Sequence, residues 1–180
     1  YNLGNKHHTG NNYHQAYNDN LPEKEYQEQQ IKVLNEIYRI TKDTGSIFYN
    51  HKNRIRSGVQ ITPYEWLLKT NWIIKQELVW FKNHKTKLYN AINHHDLFDT
   101  KDWKPVGTKG NHTRAYPEKL VEDILLCFKD SQIVFDPYMG SGTTGIVANK
   151  LNKNFIGIEH NEEYYDYAKE RLNNIQKDLF

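Results

Sequence analysis

Cysteine is what this sequence has least of. Cys127 is the only one in 180 residues, which rules out an internal disulfide framework and any metal site built from several thiolates. Long apolar runs are also missing: no stretch approaches the roughly 20 residues needed to cross a bilayer, and no secretory-leader pattern opens the chain. Together these absences make the cytoplasm the expected compartment. Net charge is close to balanced, at +2, so bulk composition does not single out a polyanion as partner. The histidines do not make up for the missing thiols. His7-His8 and His94-His95 are adjacent pairs, which cannot easily aim both rings at one ion, and no carboxylate spacing accompanies them. No metal is expected. An initiator methionine is absent too, and the chain opens Tyr1-Asn2-Leu3-Gly4 as though inside a motif.

What is present suffices for one core. Hydrophobic residues make up 37% of the chain, and this length suits one domain rather than two, so residues 1–180 are expected to form a single domain. Charge is unevenly placed. Lys82, Lys85, Lys87, Lys101, Lys104, Lys109 and Arg114 fall in one stretch, interleaved with histidines and aromatics. Basic side chains neutralise phosphates and aromatic faces receive unstacked bases, whereas a solvated polar loop is the plainer alternative. Residues 82–113 carry no secondary-structure pattern. A stretch of that length inside a compact domain marks function or missing residues.

Periodicity orders the rest. Residues 4–20 are rich in Asn, His and Gly and read as a loop. Ile31, Leu34, Ile37 and Tyr38 predict a helix over 22–40, and 45–49 and 72–81 read as strands. Pro63 suits the first turn of a helix through Leu68. From Pro117 a helix carries Leu120, Val121, Ile124 and Leu125 on its apolar side; Cys127 on that side is expected to be a buried structural thiol. A strand at 132–135, a glycine turn, a helix at 143–151, a strand at 155–158 and a helix at 161–175 follow. Strand–helix–strand–helix in this compass implies parallel pairing by crossover. The fold class is therefore α/β, with a doubly wound, mostly parallel sheet.

Gly140-Ser141-Gly142-Thr143-Thr144-Gly145 satisfies G-x-G-x-x-G between a strand and a helix, the context that pattern needs. Glu159 ends the next strand, about 20 residues on, where an acid can accept hydrogen bonds from ribose hydroxyls. A nucleoside-containing ligand follows. Charge then bears on which one. A dinucleotide would lay its pyrophosphate on the helix N-terminus, but Asp136 stands just ahead of the glycines and would repel it. A cationic ligand suits Asp136 better: S-adenosylmethionine carries an ammonium and a sulfonium, and its carboxylate can use the N–H groups of the turn. A turn or capping role for Asp136, and a nicotinamide dinucleotide for the turn, are the alternatives.

At these residues the sequence resembles a known family. Asp136-Pro137-Tyr138-Met139-Gly140-Ser141-Gly142-Thr143-Thr144 is similar to the D-P-F-x-G-S-G-T-T cofactor motif of bacterial and phage DNA amino-methyltransferases, with Tyr138 in place of Phe. Residues 155–159 resemble the next motif, ending on its ribose-binding acid. His112-Thr113-Arg114-Ala115-Tyr116-Pro117 is similar to the H-P-x-x-F-P stretch that completes the pocket, with Thr113 in place of Pro. Tyr1-Asn2-Leu3-Gly4 looks like the tail of the catalytic loop D-P-P-Y-N-L-G, which precedes the glycine motif in circularly permuted (beta-type) members.

The resemblance implies a Rossmann-like S-adenosylmethionine-dependent methyltransferase fold, incomplete in this chain, with residues missing near 81–87 and ahead of Tyr1. It implies S-adenosylmethionine as cofactor, held by Asp136, Pro137, Tyr138, Gly140, Ser141, Gly142, Thr143, Thr144, Glu159, His112 and Tyr116. Tyr1 and Asn2 become the catalytic residues, with Tyr1 stacking on the base. It implies double-stranded DNA as partner, faced by residues 82–113, and admits a homodimer and a cognate restriction enzyme encoded nearby, in a bacterial or phage-infected cell. The reaction would be restriction–modification DNA methylation of an exocyclic amine after base flipping. Such an amine is a poor nucleophile because its lone pair is conjugated with the ring. Loop acceptors hold its N–H groups and bias the lone pair towards the donor, so transfer is direct and Cys127 is not needed as a nucleophile. Adenine N6 is the preferred target. Cytosine N4 and a truncated, non-catalytic nucleotide-binding module are the alternatives.

Overall fold

The structure is a computed structural model and describes residues 21–79 and 115–177. The chain forms two compact units, divided after Glu77. Tyr1, Asn2, His112, both histidine pairs and the irregular stretch 82–113 lie outside the described residues.

In the first unit helix α1 spans Glu23–Ile40, with Glu23 and Glu25 in its first turn and Arg39 in its last, charges that complement the helix dipole. Tyr26 and Leu34 are its buried residues. They join Trp66, which is fully buried, in a core edged by Ile31, Ile47, Tyr49, Ile61 and Trp72. Strands β1 (Arg54–Arg56) and β2 (Val59–Ile61) pair antiparallel, Arg54 opposite Ile61. Ser57 and Gly58 make the turn with φ of 51° and 77°, the double positive-φ geometry whose twist matches a two-residue hairpin. Helix α2 (Tyr64–Leu67) follows Pro63 as expected.

Two expectations fail here. Residues 46–51 alternate inward and outward as a strand would, with Ile47, Tyr49 and His51 turned inward, but no ladder partner exists among the described residues. The described part of 72–81 forms no strand either. The hairpin was the missed element. Its signal was the Ser57-Gly58 dipeptide, a turn marker between two short β-prone segments.

His51 gives this unit a pH dependence. Its Nδ1 donates to the Lys52 carbonyl at 2.7 Å, so Nε2, 2.8 Å from Tyr26 Oη, is left to accept. The ring stacks on Tyr49 and meets the Trp66 ring edge-on. Burial pushes its pKa down to about 4; the Lys52 carbonyl opposes that, and the Arg54 charge adds to it. The unfolded chain takes up a proton near pH 6.5 and the folded one does not. Stability is therefore full above pH 6.5 and is lost as pH falls from there towards 4. The unfolding free energy from urea titration should drop by roughly 1 kcal/mol between pH 7 and 5, after allowance for solvent screening of a partly buried ring. The His51→Gln variant should show a flatter profile, and an equally steep one would refute the assignment.

The second unit is a β–α–β–α arrangement with a helix in front. Helix α3 (Glu118–Cys127) buries Val121 and Leu125. Strand β3 (Ile133–Asp136), helix α4 (Thr143–Lys150), strand β4 (Asn154–Gly157) and helix α5 (Glu162–Lys177) follow. Strands β3 and β4 pair in parallel, Asp136 opposite Gly157. The α/β reading and the parallel pairing thus hold, and this sheet has two strands among the described residues. Val121, Leu125, Val147 and Ala148 form the core, with Val134 and Phe155 packed on it from the sheet. On the other face Ile133, Ile156 and Ile158 are more than half exposed.

Cys127 is a correction: it is exposed. The stripe that starts at Val121 and Leu125 continues by helical spacing to the half-buried Phe128, and Cys127 turns outward. Buried Lys153 caps the end of this helix instead. Its Nζ donates to the carbonyls of Phe128, Lys129 and Ser131, at 3.0, 3.0 and 2.6 Å.

Candidate cofactor site

The site is the turn joining β3 to α4, together with the end of β4. Asp136 is the last residue of β3. Its Oδ1 accepts the Tyr138 N–H at 3.0 Å, an Asx turn that starts the loop. Its Oδ2 accepts the hydroxyls of Thr144 at 2.6 Å and Tyr116 at 3.0 Å, and those two hydroxyl oxygens are 2.5 Å apart. The carboxylate therefore ties three separate pieces together: the segment ahead of α3, the strand end and the first turn of α4.

Main-chain bonds shape the rest. Met139 N–H donates to the Ile158 carbonyl, Ile158 N–H to the Asp136 carbonyl, and Gly142 N–H to the Met139 carbonyl. Gly142 is the N-cap of α4 at φ 76°, a left-handed conformation that costs a side-chain-bearing residue about 1–2 kcal/mol. A Cβ there would also come 3.0 Å from the Cβ of Ala168 on α5. At Gly145 an added Cβ would sit 2.5 Å from the Phe155 ring and 3.0 Å from Leu172. The last glycine of the motif thus serves the close helix–strand approach.

Glu159 closes the site. Its Oε2 accepts the Gly140 N–H at 3.0 Å and its Oε1 the Asn161 N–H at 2.9 Å, so each oxygen keeps acceptor capacity for a further donor. Among the described residues the N–H groups of Ser141, Thr143, Thr144 and Gly145 have no acceptor. A helix N-terminus with open donors is a ready anion site. Ser141 and Thr143 are buried with their hydroxyls 3.3 Å apart, while the Tyr138 ring stands 64% exposed beside the turn. The structure thus brings Asp136, Pro137, Tyr138, Gly140, Ser141, Gly142, Thr143, Thr144, Glu159 and Tyr116 into one neighbourhood. Tyr116 reaches it through Asp136.

Two contributors went unnoticed in the sequence. Arg171 Nη1 donates to the Ser141 carbonyl at 2.5 Å, and Ala168 provides the small surface against Gly142. Their spacing of three places both on one face of α5, but nothing in that spacing says which loop the face meets. A separate cavity of about 190 Å³ lies between β4 and α5, lined by Met139, Phe155, Gly157, Tyr165, Lys169, Leu172 and Asn173. None of the residues expected to hold the cofactor lines it.

Residues 83–170 match a protein-family model described as DNA methylase. Type II methyltransferase M2.LlaDCHI of Lactococcus lactis subsp. cremoris is 34% identical over 112 residues, covering 54% of this chain and 42% of that protein. Type II methyltransferase M.HinfI of Haemophilus influenzae is 30% identical over 180 residues, covering 79% of this chain and 50% of that protein. Among solved structures, an M1.HpyAVI–SAM complex is 41% identical over 39% of this chain and 35% of its own, with a TM-score of 0.33. The chain spans half or less of the length of these relatives.

Proposed function

We propose that this chain, which is similar to bacterial type II DNA methyltransferases, is a member of the DNA amino-methyltransferase family that binds S-adenosylmethionine at residues 136–145 and 159 and methylates an exocyclic amino group in DNA. Adenine N6 is the preferred target and cytosine N4 the alternative. The observation that carries the reading is the placement of two carboxylates around open helix N–H groups, with Glu159 holding the glycine turn itself through Gly140.

The residues present fit that donor. An amino-acid carboxylate suits the open N–H groups of Ser141 and of 143–145. The Asp136 charge suits the ammonium, and Oδ1, with one internal donor, retains acceptor capacity. The oxygens of Glu159 suit a ribose diol. Pro137 and the exposed Tyr138 ring offer an apolar wall. By the family resemblance, His112 and Tyr116 would complete the pocket. When bound, S-adenosylmethionine supplies an activated methyl group. This chain's own part is to hold and orient: positioning and electrostatics carry direct transfer to a base amine. Tyr1 would stack on the flipped base, and Asn2 would follow it on the catalytic loop. The wider doubly wound sheet of this fold, double-stranded DNA as substrate and a place in restriction–modification belong to the same reading.

The test is to incubate mixed-sequence double-stranded DNA with the protein and isotopically labelled S-adenosylmethionine, then digest and separate nucleosides. Label in N6-methyladenine is the expected result. Label in N4-methylcytosine would move the target base, and donor binding without transfer would favour a non-catalytic module. Calorimetry that found NAD bound in preference to S-adenosylmethionine would overturn the cofactor assignment.

A further inference from the structure

Gly142 is the N-cap of α4, and its carbonyl accepts the first helical bond, from Ile146 at 3.0 Å, so the N–H groups of Thr143, Thr144 and Gly145 are open as at any helix start. One residue ahead, the Ser141 carbonyl accepts the Arg171 guanidinium at 2.5 Å. The carbonyl, whose negative end would oppose an anion in the same place, is turned towards α5 and neutralised.

Arg171 is itself held. Its side chain is 19% exposed, its Nη2 lies 3.7 Å from Glu118 Oε1, and Glu118 Oε2 receives Lys150 Nζ at 2.7 Å. The guanidinium also lies 5.7 Å from the Tyr167 ring centroid. One turn earlier on α5, the fully buried Ala168 abuts Gly142. A charged fork locked from several sides loses little entropy on making its bond to the carbonyl. Helix α5 therefore acts as a template for the peptide between Ser141 and Gly142.

We propose that Arg171 is a positioning residue for the anion-holding half of the donor site, acting through the Ser141 carbonyl. This rests on the S-adenosylmethionine reading above. It assigns Arg171 to the donor's amino-acid carboxylate, whereas Glu159 serves the nucleoside half.

Two ligands separate the halves. S-adenosylhomocysteine has the amino-acid end, and 5′-methylthioadenosine lacks it. Titration of the full chain by calorimetry should show that Arg171→Ala weakens S-adenosylhomocysteine about tenfold, while 5′-methylthioadenosine changes less than about twofold. Arg171→Lys, which can still donate to the carbonyl but cannot also reach Glu118, should recover most of the loss. Should the alanine variant fail to fold, the lysine variant and Glu118→Gln carry the test, with smaller losses confined to S-adenosylhomocysteine. Equal weakening of both ligands would mark a merely structural arginine and overturn the proposal, as would no change in either. If the unaltered protein bound neither ligand, the donor reading itself would fall, and this inference with it.

Discussion

Asp136→Ala should abolish most donor binding while the second unit still folds. The substitution removes the acceptor for three donors at once: the hydroxyls of Tyr116 and Thr144 and the Tyr138 N–H. The two hydroxyls are 2.5 Å apart and can still bond to each other, and the Tyr138 ring is exposed enough for water to reach that segment. The structural cost is therefore about 1–3 kcal/mol rather than the sum of three stranded groups. The loss of a charge-assisted contact to the ammonium adds a fall in S-adenosylmethionine affinity of about 10- to 100-fold. Asp136→Asn separates the two effects. It keeps an oxygen for the hydroxyls and loses the charge, so its thermal transition should lie nearer to that of the unaltered protein while donor affinity still falls. If the asparagine variant bound donor normally, the carboxylate would be scaffold alone, which is the turn-and-capping alternative for this residue.

Glu23→Ala should strongly destabilise the first unit. The Arg54 side chain is 4% exposed and forks onto Glu23, Nη2 to Oε1 at 2.7 Å and Nη1 to Oε2 at 3.0 Å. Its guanidinium lies over the Tyr26 ring at 4.5 Å and near Trp66 at 5.6 Å. Removing the carboxylate deletes both charge-assisted bonds to a nearly buried guanidinium, at a cost of about 3–5 kcal/mol. The reverse change is milder. Arg54→Met keeps the apolar volume, and the remaining Glu23 is 25% exposed with Arg56 at 3.6 Å. Hydrogen exchange over residues 21–77, with a denaturant midpoint for each variant, would measure the difference. Equal losses for the two variants would contradict the assignment of the cost to the guanidinium's lost carboxylate.

The helices were legible because their apolar residues repeat at helical spacing and their ends carry punctuation: Pro22 and Pro117 stand at the N-caps of α1 and α3. The turn was legible because glycines at fixed offsets between a strand and a helix answer local needs, a left-handed N-cap at Gly142 and a close approach at Gly145. Strands were harder. Residues 46–51 have the alternation of a strand and pair with nothing among the described residues, whereas 54–61, more polar, form the hairpin from two three-residue strands. Pairing belongs to two segments, and one segment's pattern does not reveal it. Cys127 failed for a related reason: at the last turn of a helix a shift of one residue moves a side chain from core to solvent.

The sequence by itself determined the residue types at the site: acid, glycine turn and second acid at spacings set by one strand and one helix, each a local requirement. Only the tertiary structure decided what those residues do to one another. It gave Asp136 to Tyr116 and Thr144, and the Ser141 carbonyl to Arg171, 30 positions along the chain. It also buried Arg54 on a carboxylate 31 positions away and Lys153 on the end of another helix. Buried charge is tolerated only where a partner arrives, and that arrival is a property of the packed chain. The glycine turn is thus readable as a motif, but the setting of its Ser141 carbonyl depends on α5, which sits against it only after folding.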